Sequence, residues 1–139
     1  MAGAFCASLG PKLALLATLA AGTFASAIGI GLLCQCLRIN RTGTLVAIFV
    51  YCANPLTLNE LQAGHVPFLL AYAILPWIAA FSLELSRTTW LPTGVLIGLA
   101  AAQQQFLAFG LLIAVACGWQ SSRALAVRYL PLVTVIALV

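Results

Sequence analysis

The sequence predicts an all-α protein, a polytopic transmembrane helical bundle with about 4–6 membrane segments, some kinked or re-entrant. Three observations predict it. Of 139 residues, 64% are apolar and only 6% are charged, against about 25% charged in a soluble domain. The mean hydropathy is +1.15. The few polar residues gather in short breaks between long apolar runs. Most side chains therefore have lipid as their solvent. The chain 1–139 reads as one integral-membrane domain. Because "LPLVTVIALV" stops inside an apolar run, it is expected to be part of a larger protein.

The first element lies between Lys12 and Arg38, which enclose 25 uncharged residues. That is enough for one spanning helix at about 1.5 Å per residue. It is too long for the core of a signal peptide. Ala25/Gly29 and Ala27/Gly31 stand four apart and suit close helix packing. "RINRTG", 38–43, is a short basic turn. A second span runs from Thr44, or from Thr42, to Ala53, where Pro55 ends or kinks it. A polar break, "NPLTLNELQAGHVP", fills 54–67.

The third run, 68–83, contains Pro76, whose missing N–H predicts a kink. Trp77 beside it suits a packed interior. "ELSRTTW", 84–90, is the next turn. From Thr88 to Ser122 there are 35 residues without a charge. They form either one long tilted helix or two half-helices meeting at Gln103–Gln105. Base rates lean to the single helix, and the charges favour the hairpin. A last apolar run starts near Ala124, with Arg128 and Pro131 inside it.

Basic residues mark sides. With the Arg38/Arg41 turn placed in the cytoplasm, the break 54–67 faces outward, with Glu60 and no Lys or Arg. Arg87 then returns to the cytoplasm. Arg123 and Arg128 stay there if 88–122 enters and returns.

The net charge of +4 comes without a basic cluster, so it does not point to nucleic acid. Cys34, Cys36, Cys52 and Cys117 lie in or beside apolar runs and read as small hydrophobes. "CQC" at 34–36 lacks a second ligand cluster, so no metal site is expected. No cofactor motif occurs. There is no Asp, hence no Ser/His/Asp set. The only two carboxylates, Glu60 and Glu84, are placed on opposite sides. No catalytic centre is visible.

The break has a local structural reading. "TLNE" is a capping box in which Thr57 and Glu60 cap each other's amides. Gly64 suits a helix C-terminus with positive φ, and Pro67 suits the first turn of the next helix. A short helix from Leu58 to Ala63 is expected. This leaves Asn54, Asn59, Gln62 and His65 unexplained. Ionisable groups at membrane depth are costly and usually functional, so Glu60 and His65 weigh evenly between structure and function.

The stretch "YCANPLTLNELQAGHVPFLLAYAILPW", 51–77, resembles a signature of large prokaryotic membrane glycosyltransferases of the GT-C type. Tyr51, Asn54, Pro55, Gly64, His65, Tyr72, Leu75 and Pro76 carry the match over 27 residues, about a fifth of the chain. Where the family has an acidic residue followed by Arg, this chain has Asn59-Glu60-Leu61, so a phosphate-reading Arg does not carry over. The resemblance implies transfer of a sugar from a polyprenyl-phosphate donor at the outer face of a prokaryotic plasma membrane. It also implies that the family's first span and catalytic carboxylate loop are missing here. Asn54, Glu60, Gly64, His65 and Tyr72 are the expected substrate-binding residues, acting by position and hydrogen bonding. The expected partners are the lipid bilayer, a lipid-linked sugar and a neighbouring membrane protein. Two alternatives stay open: a transporter or permease fragment, and a non-catalytic membrane subunit.

Overall fold

The computed structural model describes residues 10–84, 89–101 and 103–121. These form helices throughout: α1 (Pro11–Cys36), α2 (Arg41–Cys52), α3 (Pro55–Gln62), α4 (Val66–Leu83), α5 (Trp90–Ala100) and α6 (Gln104–Ser121). Three stretches are long and apolar enough to cross a membrane: Leu13–Cys36, the bent pair Arg41–Gln62, and Val66–Leu83. Arg87, Arg123, Arg128, Pro131 and the last apolar run fall outside the described residues.

Each helix starts and stops for a local reason. Gly10 (φ 73) precedes α1, with Pro11 in its first turn, where the missing N–H has no carbonyl to meet. At its other end Ile39 N donates to Cys34 O and Arg38 N to Gln35 O. That is the double bond of a Schellman turn. Arg38 holds the left-handed position (φ 55) that glycine usually takes. Asn40 then caps α2, accepting from Gly43 N at 2.8 Å.

α4 is the central element. It packs along α1 on one side and on α5 and α6 on the other. Against α1 the key is Trp77. Its indole N–H donates to Ala25 O at 2.8 Å, and its ring lies over Gly29, where a Cβ would stand 2.6 Å from Cδ1. The Ala25/Gly29 spacing thus serves this contact, whereas Gly31 faces open space. On the other side a core of Ala71, Ile78, Ile97, Ala100, Phe106 and Ala114 joins α4, α5 and α6. The outer faces are apolar: Phe24 and Phe49 are each 72% exposed, and α2 has no buried residue.

The long uncharged stretch is not one helix. The chain breaks between Ala100 and Gln104, which corrects the single-helix expectation. α5, at about 16 Å, falls short of a bilayer core of about 30 Å. Three successive amides put at least one on each side of a long helix; here Gln103 lies in the break, and Gln104 and Gln105 open α6, where both are exposed. Pro76 lies inside α4 without ending it.

Candidate cavity at the Asn-Pro break

The two ends of the bundle differ. One holds the 37–40 turn and Glu84, the α4 C-cap, which accepts from Cys36 Sγ at 3.6 Å. The other holds the break 54–65. Glu60 and Glu84 thus stand at opposite ends of the bundle.

α3 starts earlier than a capping box predicts. Asn54 is its N-cap, with extended backbone (φ −76, ψ 154), and Pro55 opens the helix. Asn54 Oδ1 accepts from Thr57 N at 3.0 Å. Thr57 does not cap Glu60; its hydroxyl donates back to Asn54 O at 2.8 Å. An Asn before a Pro wins over a Thr three residues on, because the Pro disfavours helix in the residue before it and loses no bond at the first helical position. Glu60, released from capping, pairs with His65: Oε2 and Nδ1 lie 2.6 Å apart, with the two side chains 23% and 63% exposed respectively. Gly64 (φ 76) ends α3 in a second Schellman turn, His65 N donating to Glu60 O and Gly64 N to Leu61 O. Pro67 sits in the first turn of α4, as predicted.

A hydrogen-bonded network ties the break to α4. Pro55 and Pro76 each lack the N–H that would serve the carbonyl four residues earlier. Those carbonyls belong to Tyr51 and Tyr72. Asn54 Nδ2 donates to Tyr51 O at 2.8 Å, and the Tyr51 hydroxyl donates to Tyr72 O at 2.7 Å. Asn54 Nδ2 also donates to the Tyr72 hydroxyl at 2.8 Å. The two tyrosine rings stack at 4.3 Å and 11°.

Beside this network lies an open cavity of about 1310 Å³ of empty space, solvent at its mouth included. α3 contributes Leu56 and Glu60, His65 stands at the N-cap of α4, and α4 contributes Phe68, Tyr72 and Leu75. Gln103, in the break before α6, and Gln105, Phe106, Phe109 and Ile113 of α6 complete the lining. Across the back of α3 and Tyr72 is a smaller space that Thr18, Thr23, Ser26 and Thr57 border. Three expected binding residues, Glu60, His65 and Tyr72, therefore share one cavity. Asn54 reaches it through Tyr72, and Gly64 serves the turn without lining it. Asn59 and Gln62 are exposed. Gln103, Gln105 and the two α6 phenylalanines were not among the expected site residues. Their signal was the hairpin reading of 88–122, which puts the amides at a tip. Among the described residues no His/Cys/Asp/Glu group could hold a metal ion.

Comparison with protein-family models, with curated proteins and with solved structures gives no match.

Proposed function

We propose that this chain is a polytopic plasma-membrane segment of a prokaryotic glycosyltransferase of the GT-C type, holding a polyprenyl-phosphate-linked sugar in the cavity at the Asn-Pro break. In this reading the break faces outward, and the transfer carboxylate comes from a loop that this chain does not carry. The observation that carries the reading is the convergence of Glu60, His65 and Tyr72, with Asn54 behind Tyr72, on a cavity lined by both polar and aromatic side chains. Such a lining suits an amphiphile with a hydrogen-bonding head. The exposed apolar faces of α1, α2 and α6 support membrane embedding.

The test uses the protein in nanodiscs with a short-chain prenyl-phosphate sugar that bears a photoreactive group. Crosslinks should map by mass spectrometry to 56–75 or 103–113, and unlabelled probe should compete. Crosslinks scattered over the lipid-facing surface, without competition, would sink the reading.

A second reading has one observation in its favour. The break between α5 and α6 brings Gln103 and Gln105 to the same cavity as the hydrogen-bonded Glu60 and His65, and broken helices at a polar site also occur in transporters. Solute flux into liposomes that disappears with His65→Ala would favour a permease.

A further inference from the structure

The polarity of the cavity wall separates two parts of the substrate that the proposed function takes together, and the inference rests on that reading of the cavity. Asn54 is fully committed. Its Oδ1 accepts from Thr57 N, and its two Nδ2 protons go to Tyr51 O and the Tyr72 hydroxyl. These partners also fix which way round the amide lies. Tyr72 Oη is therefore an acceptor toward Asn54, and its own proton must point elsewhere. No described residue accepts that proton. Tyr72 borders both spaces, so its O–H is free to donate to an occupant of the larger one.

The mouth supplies the complement. Glu60 Oε2 is taken by His65 Nδ1, which leaves Oε1 as an acceptor and His65 Nε2 free at the rim. Gln103 and Gln105 each bring both a donor and an acceptor. Phe68, Phe106 and Phe109 supply apolar lining; Phe68 and Phe106 meet edge to face at 4.9 Å. Among the described residues that line the cavity, none is Lys or Arg. The N-termini of α4 and α6 both open at the mouth and favour negative charge there, but Glu60 already supplies it. Among the described lining residues, an incoming phosphate would meet the Glu60 carboxylate with only the His65 imidazole, already bonded to it, on the other side of the balance. A neutral ring with hydroxyls would find donors, acceptors and apolar faces.

We propose that the cavity takes the uncharged, hydroxyl-bearing ring of the lipid-borne substrate, Tyr72 donating to one of its oxygens and Glu60 accepting from one of its hydroxyls, while the phosphate stays outside.

His65 is the chain's single histidine, so carbethoxylation by diethylpyrocarbonate reports on this mouth alone. The protein is placed in nanodiscs without glycoside detergent and treated in the presence of decyl glucoside or decyl phosphate. Decyl glucoside should protect His65 saturably, and decyl phosphate should not. Tyr72→Phe, which keeps the stacked ring, should weaken glucoside protection about fivefold to tenfold, as expected for one lost hydrogen bond of about 1 kcal/mol. Equal or better protection by decyl phosphate would overturn the neutral-ring assignment and leave the lipid-linked-substrate reading standing. Unchanged protection in Tyr72→Phe would overturn the role of its hydroxyl. Protection by neither probe overturns the inference, and together with failed crosslinking of the prenyl-phosphate sugar it removes the proposed function as well.

Discussion

Two five-residue segments of this chain carry the same local instruction and meet different fates. Tyr51-Cys-Ala-Asn-Pro55 ends a helix, while Tyr72-Ala-Ile-Leu-Pro76 runs straight through one. In both, proline removes the donor for the tyrosine carbonyl. In the first, Asn54 stands before the proline, takes extended backbone and caps the next helix. Its side chain also serves the stranded carbonyl. In the second, Leu75 cannot cap. Pro76 is buried, Ile78 is fully buried, and packing on both faces holds α4 helical. The stranded carbonyl is served from another helix, by Tyr51. A proline thus sets the problem, and the outcome depends on whether the nearest donor is local or tertiary.

The comparison can be broken most severely at Asn54. Asn54→Ala removes the cap and strands Tyr51 O, and should destabilise the protein by about 2–4 kcal/mol in a reversible unfolding assay in bicelles, as lost cap and unmet acceptor add. Asn54→Asp sharpens this result. It keeps the acceptor for Thr57 N but loses both Nδ2 donors, so it should fall between wild type and Asn54→Ala. A loss equal to that of Asn54→Ala would show that the cap contributes little.

The tertiary half is tested by a double-mutant cycle. Tyr51→Phe leaves Tyr72 O unmet and should cost about 1–3 kcal/mol. Pro76→Ala restores the intrahelical N–H, so in that background Tyr51→Phe should cost clearly less. Additive losses would mean that the Tyr51 hydroxyl does not replace the proline's missing donor. The smallest effect is expected at the far end of α3, where Gly64→Ala forces a Cβ into left-handed backbone and should cost about 1–2 kcal/mol. No neighbour lies within 4 Å of that position, so any loss there is conformational, and thermal unfolding would measure it.

What could be read from the sequence follows the same division. Local signals were legible: the helical class, the first two apolar runs, the positive φ of Gly64 and the place of Pro67. The N-terminus of α3 was misassigned because Asn54 and Thr57 both have capping chemistry, and only the preference imposed by Pro55 separates them. The break at 101–103 was an even contest, since uncharged length allows a long helix and three successive amides argue against one. The pairing of Tyr51 with Tyr72, and of Glu60 with Gln103 and Gln105 around one cavity, was not legible. Those contacts depend on which helices become neighbours, and no local pattern states that. Glu60 and His65 stand five apart in one short break. Their pairing became visible only once the capping role passed to Asn54.

The seat of Trp77 on Gly29 bears on how the bundle assembles. The ring fits the notch at Gly29 while its indole N–H is held by Ala25 O one turn away, and these two contacts together set the vertical alignment of α1 and α4. They are not consecutive in the chain. The contact between α1 and α4 therefore closes a loop of chain that contains the whole of α2 and α3. A chain interrupted before residue 77 leaves α1 without the side chain that fixes its place, and the Asn-Pro break without the helix against which its network closes.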